Sequence, residues 1–227
     1  MQIDRHVSVI ALHGLALSEE EVEQTASPVE EYLGAPGVRW IFPRAPKRKV
    51  TILGCEALAW YDIATYDRSC LDVEGIESAT EEIRKAVHEE RMRDPERKVV
   101  LMGFSQGGAL ALNAGLQLKD EVDGIVALAT ALPFPENVKP AHDSGMPVFL
   151  GHGLLDPTVP YTMGRETHQV LEAQGYETEW HTYLCGHTIT RRELHNVSDW
   201  MRRHFLQDSK DVLVEREPAT EVCSLPN

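Results

Sequence analysis

The sequence predicts an α/β fold: a mostly parallel central sheet with helices on both faces and no insertion long enough to build a separate helical domain over it. Three observations predict it. Short apolar runs rich in β-branched residues alternate with longer amphipathic stretches along the chain, the order that parallel strands with crossover helices require. The run Lys98-Val99-Val100-Leu101-Met102 feeds through a glycine-rich hexapeptide into Ala109-Leu110-Ala111-Leu112-Asn113-Ala114, a buried strand, a tight turn and a buried helix. Further strand-like runs follow that pair, each separated from the next by room for a crossover.

Val7-Ser8-Val9-Ile10-Ala11-Leu12 reads as a central strand ending at His13-Gly14. Ser18 with Glu21 makes a capping-box pattern that opens a helix toward Leu33, with an interruption at Pro28. Arg39-Trp40-Ile41-Phe42 is a short strand. Pro43 to Leu71 is a long irregular segment containing several aromatic residues, a length usually reserved for function. Residues 72–93 form an acidic amphipathic helix with Ile76, Ile83 and Val87 on one face. Beyond the central strand and helix come strands at 124–129 and 147–150, a helix at 160–173, a strand at 177–184 and a helix at 191–205 with Leu194, Val197, Met201 and Phe205 turned inward. Residues 1–206 read as a single domain, and 207–227 as a mobile acidic tail.

The 227 residues suffice for one such domain with a sizeable core. Acidic residues outnumber basic ones 36 to 22, a formal charge of −14, which argues against electrostatic binding of nucleic acid or of anionic membranes but not against an apolar substrate. The four cysteines, Cys55, Cys70, Cys185 and Cys223, have no metal-site or CxxC spacing and read as free thiols of a reducing compartment. The N-terminus is no signal peptide and no apolar run reaches membrane-spanning length, so a cytoplasmic location is expected. Oligomeric state is left open.

Gly103-Phe104-Ser105-Gln106-Gly107-Gly108 carries the chemistry. Strand, G-x-S-x-G and helix together form a nucleophile elbow, in which the serine sits on a strained turn and the first helical amides face any anion formed on a substrate. The bland alternative is a small-residue turn packing a helix on a sheet. A serine hydroxyl needs a base, and the base needs an acid to hold its tautomer. Asp156, in Gly153-Leu154-Leu155-Asp156-Pro157, lies just past a later strand; alone it would pass for a turn aspartate before a proline. His187, in Cys185-Gly186-His187-Thr188, lies past the last strand and before the last helix. Among ten histidines His152 and His181 compete with it, but His152 precedes the acid and His181 falls within a strand. Two backbone amides should face the oxyanion, those of Gln106 and Leu15, with His13 a structural brace beside them. No histidine pair has metal-ligand spacing, so neither metal nor cofactor is expected.

Leu12-His13-Gly14-Leu15, Phe42-Pro43-Arg44-Ala45-Pro46, Ala59-Trp60-Tyr61-Asp62-Ile63, the elbow, His152-Gly153-Leu154-Leu155-Asp156 and Gly186-His187 occur in that order. From Val7 to Phe205 the chain resembles the phospholipase/carboxylesterase family, which includes acyl-protein thioesterases, and most of all its bacterial carboxylesterases. The resemblance implies a capless α/β-hydrolase with Ser105, Asp156 and His187 as triad and Leu15 and Gln106 as oxyanion donors. It also implies that the long loop holding Trp60 flanks the acyl pocket, with Trp60 and Tyr61 as substrate-binding candidates; core packing is the equal alternative for both. As the only large loop over the site, the segment from Pro43 to Leu71 should line a partly open acyl groove with Leu53, Leu58, Trp60 and Tyr61. The expected activity is hydrolysis of short- to medium-chain carboxylic esters, small-molecule substrates, the runner-up being an acyl-protein thioesterase or a lysophospholipase acting on an acylated protein thiol or a lipid-like substrate. A non-catalytic binding protein would have lost a triad member, and all three are present. The chain departs from the family at Ala16-Leu17, where Gly-Asp is common, at Cys185 in place of methionine, and at Gly54-Cys55 in place of a Gly-Gly turn.

Overall fold

The computed structural model describes residues 7–17, 20–21, 28–29, 31, 38–141 and 145–206. Its elements are Val7–Leu12 (β1), Val38–Ile41 (β2), Lys47–Val50 (β3), Cys55–Leu58 (β4), Val73–Arg93 (α1), Lys98–Phe104 (β5), Gln106–Gln117 (α2), Gly124–Leu128 (β6), Pro147–Gly153 (β7), Tyr161–Ala173 (α3), Glu177–Tyr183 (β8) and Arg191–Met201 (α4). Six strands form one sheet in the order β2-β1-β5-β6-β7-β8, and every pair in it is parallel. All six strands therefore end at one edge, and the loops leaving that edge are where an open α/β sheet places a ligand.

Alternation along the strands divides the core in two. Ile10, Leu12, Val99, Leu101, Ile125 and Val148 join Ile76 and Ile83 of α1, Leu110 of α2 and Leu171 of α3 in one layer. Val7, Val9, Val100, Met102, Val126 and Phe149 join Leu194, Val197, Trp200 and Met201 of α4 in the other. A strand covered on both faces needs apolar residues at nearly every position, hence the continuous apolar runs of β1, β5 and β6.

Two helices carry side-chain caps that sequence reasoning did not name. Asp72 caps α1, its carboxylate accepting the Gly75 N–H at 3.0 Å. Thr190 and Glu193 form a reciprocal capping box at α4. Two expectations are corrected. The segment from Pro43 to Leu71 is not wholly irregular: β3 and β4 pair antiparallel as a hairpin, closed near Gly54 with φ +66°. The last helix does not continue regularly to Phe205, since α4 ends at Met201 and Arg202–Leu206 widens into a π turn. In the helix expected from Ser18 to Leu33, Glu20, Glu21, Pro28, Val29 and Glu31 are helical; Ser18 and residues 22–27 lie outside the described residues, as does the tail from residue 207.

Candidate active site

β5 runs straight into Ser105, the N-cap of α2, whose backbone stands at φ +54°, ψ −119°. A non-glycine residue there carries roughly 1–3 kcal/mol of strain and persists only where its surroundings fix it. Here the Ser105 N–H donates to the Leu128 C=O at 2.9 Å and the Ser105 C=O accepts the Ala109 N–H at 3.0 Å. The glycines permit the close approach that does the fixing. A Cβ on Gly103 would stand 2.2 Å from the Gly107 oxygen, and one on Gly107 2.2 Å from the Leu12 oxygen.

Asp156 and His187 come from the ends of neighbouring strands whose ladder continues into the loops: Leu154 N–H donates to the Tyr183 C=O at 2.8 Å and Leu155 N–H to the Cys185 C=O at 3.0 Å. Gly153 makes this approach possible, because a Cβ there would meet the Gly186 oxygen at 2.4 Å. The result is a linear chain. Asp156 Oδ2 lies 2.7 Å from His187 Nδ1, and His187 Nε2 lies 2.9 Å from Ser105 Oγ. The other carboxylate oxygen of Asp156 accepts the Thr158 and Val159 amides at 2.8 and 2.9 Å. Those two amides lock the carboxylate's rotation and favour its charge. They were not anticipated from sequence, although Asp-Pro is itself a turn signal and an aspartate there accepts main-chain amides two and three residues on.

The competing histidines lie elsewhere. His152 is buried beneath the site and shares its ring hydrogen bond with the Val159 C=O at 2.9 Å; burial lowers its pKa, so it stays neutral. His181 is engaged by Glu179 at 2.7 Å. Only His187 of the three reaches Ser105.

Leu15 and Gln106 both line the groove at Ser105, and the main-chain N–H of neither donates to another described residue. Behind them His13 is fully buried, Nδ1 donating to the Gly14 C=O at 2.8 Å and Nε2 accepting the Ala45 N–H at 3.0 Å. Ala16 adopts φ +62°, the conformation glycine serves best, and its N–H is tied to the Leu58 C=O at 2.9 Å.

Trp60 must be corrected as a substrate-binding candidate. It is 1% exposed, its indole N–H donates to the His13 C=O at 2.8 Å, and it does not line the groove. Leu58 does not line the groove either, whereas Leu53 and Tyr61 do. Burial pushes the Tyr61 phenol above its ordinary pKa, so it stays protonated. Sequence reasoning also missed the Gln106 side chain, which accepts the Trp60 N–H at 3.0 Å and donates to the Tyr61 C=O at 2.8 Å.

The groove has a volume of about 370 Å³ and is mainly apolar, with Leu53, Ile63, Leu71, Phe104, Val159 and Met163 among its walls. Among the described residues no cluster of His, Cys, Asp and Glu could hold a metal ion, and no helix is long and apolar enough to cross a membrane. Cys55, Cys70 and Cys185 are free thiols; Cys223 lies outside the described residues.

The profile of the phospholipase/carboxylesterase family matches residues 3–205. The chain is 33% identical to acyl-protein thioesterase 1 of Neurospora crassa over 217 residues, 88% of this chain and 87% of that protein. It is 29% identical to a probable carboxylesterase of Oryza sativa subsp. japonica, covering 87% of this chain and 77% of the other. The crystal structure of Zea mays acyl-protein thioesterase 2 superposes with a TM-score of 0.78 at 24% identity, covering 90% of this chain and 96% of that one, a likeness of fold.

Proposed function

The chain belongs to the phospholipase/carboxylesterase family of serine hydrolases, and we propose that it is a carboxylesterase that cleaves short- to medium-chain carboxylic esters through Ser105, His187 and Asp156. The observation that carries this reading is the hydrogen-bonded chain from Asp156 through His187 to Ser105, ending at an apolar groove. His187 Nε2 takes the Ser105 proton as the hydroxyl oxygen attacks the ester carbonyl. The Leu15 and Gln106 amides receive the oxyanion, at the helix end where the backbone field already favours negative charge. Asp156 holds Nδ1–H of His187 and stabilises the imidazolium. That imidazolium then protonates the departing alcohol, and water repeats the sequence on the acyl-enzyme.

The test is a panel of p-nitrophenyl esters from acetate to palmitate, a lysophospholipid and an acyl thioester, run on wild type and Ser105→Ala. The expected result is fastest turnover of short and medium esters. It comes with a loss of about 10⁴-fold or more in the variant and fluorophosphonate labelling at Ser105. Turnover that survives Ser105→Ala would overturn the reading. A second reading, hydrolysis of acyl thioesters on proteins, is favoured by the name of the Neurospora crassa relative; faster cleavage of the thioester than of any ester would select it.

A further inference from the structure

Arg68 is the only lysine or arginine among the residues that line the groove. Its side chain is only 20% exposed, and its backbone stands at φ +63°, which an arginine does not adopt without tertiary constraint. The guanidinium supplies the constraint. Nη1 donates to the Leu132 C=O at 3.0 Å and Nη2 pairs with the Glu166 carboxylate of α3. Leu132 is held through its other main-chain group as well, its N–H donating to Thr167 Oγ1 at 2.8 Å, and that hydroxyl donates to the Met163 C=O at 3.0 Å. Three stretches of chain line this groove here: the loop carrying Thr65, Tyr66 and Cys70, the segment with Ala131 and Pro133, and the start of α3 with Met163. Arg68 joins all three.

An ion pair this exposed on the Glu166 side adds little to global stability. Its position gives it a different consequence. The 63–71 loop and α3 are separate walls of one apolar groove, and Arg68 with Glu166 fixes their spacing. We propose that the Arg68–Glu166 pair, seated on the Leu132 carbonyl, determines the longest acyl chain that the groove admits. The proposal rests on the carboxylesterase reading, since it concerns the acyl half of the same substrate. An aliphatic chain gains affinity for each methylene it buries and gains nothing once the walls stop it. Releasing the pair lets the loop withdraw from α3 and moves that stopping point outward.

Glu166 does not line the groove, so Glu166→Ala and Glu166→Gln release the pair without altering the wall itself. The experiment measures kcat/KM for p-nitrophenyl acetate, butyrate, octanoate, laurate and palmitate with wild type, both Glu166 variants and Arg68→Ala. The expected result is unchanged acetate turnover in the Glu166 variants, with the plateau displaced to longer chains. Each newly admitted methylene should raise kcat/KM about fourfold. Arg68→Ala should show the same displacement. Calorimetric affinities of the corresponding straight-chain carboxylates for the same variants on a Ser105→Ala background read the groove without turnover, and the same displacement is expected there. Wild type that hydrolyses esters while all variants keep its chain-length profile would overturn the proposal. Loss of acetate turnover in Glu166→Gln would also overturn it, because the pair would then act at the reacting end. Absence of Ser105-dependent hydrolysis in wild type is the separate failure of the carboxylesterase reading, and the carboxylate affinities still decide the proposal.

Discussion

The side chain of Gln106 is bonded at both ends to one short stretch of main chain, accepting the Trp60 N–H at 3.0 Å and donating to the Tyr61 C=O at 2.8 Å. The residue whose own amide is proposed to meet the oxyanion thereby also fastens the loop that forms the groove wall. Gln106→Ala leaves a buried donor and a buried acceptor unpaired, each costing roughly 1–3 kcal/mol. The expected outcome is a destabilisation of about 2–6 kcal/mol in urea unfolding, with kcat reduced as Tyr61 shifts. A variant within about 0.5 kcal/mol of wild type would mean that water replaces both bonds.

That Ser105, Asp156 and His187 come together was legible because their signals are local. A glycine-flanked serine between an apolar strand and an apolar helix, and an aspartate and a histidine just past later strands, need only strand order to be brought to one edge. The place of Trp60 was not legible. Whether it lines a groove or fills the core depends on Gln106 and His13, 46 and 47 residues away in sequence. The hairpin was missed for another reason: Lys47-Arg48-Lys49-Val50 is nearly all charged and shows no period-two alternation, because only Val50 in β3 is buried. Arg68 carries no signal of its own in the sequence, since its partners Glu166 and Leu132 are connected to it by no spacing rule.

Gly153→Ala should separate the acid from the base. The added methyl would meet two main-chain oxygens, those of Gly186 at 2.4 Å and Cys185 at 2.6 Å, and neither can rotate away. The loop carrying His187 must then retreat from Asp156, and an ångström of misplacement costs on the order of 10²-fold in rate. Stopped assays should show a fall in kcat with KM little changed. A kcat near wild type would show that the two loops tolerate the displacement.

Ala16→Gly should stabilise the fold. Alanine at φ +62° bears a left-handed penalty of about 1–2 kcal/mol. Glycine's greater freedom in the unfolded chain returns about 0.5–1 kcal/mol of it. A net gain of up to about 1 kcal/mol is expected in denaturant melts, and Ala16→Val should lose stability. A destabilised glycine variant would indicate that the methyl group packs more usefully than its backbone suffers.

Glu193 gives a pH dependence of stability. Burial pushes its carboxyl from 4.5 up to about 7, against the Thr190 amide, which pulls the other way. The folded state therefore keeps a proton that the unfolded chain releases. The associated stability is complete below about pH 4.5 and is lost as pH rises through about 7, amounting to about 3 kcal/mol. Glu193→Gln retains an oxygen for the Thr190 N–H but cannot ionise. Its stability relative to wild type should climb across that interval, and urea midpoints at pH 5 and pH 8 check it. A difference independent of pH would show that the carboxyl titrates alike in both states.

Strand β5 gives Val99 and Leu101 to one hydrophobic layer and Val100 and Met102 to the other before it ends at the Ser105 turn. Neither layer can melt alone without releasing that strand, and the strained serine turn loses the strand it continues, along with its bonds to Leu128 of β6 and Ala109 of α2. Heat should therefore silence turnover and dissolve secondary structure at the same temperature, with no folded but inert form in between. In this chain residual hydrolysis is a direct count of intact molecules.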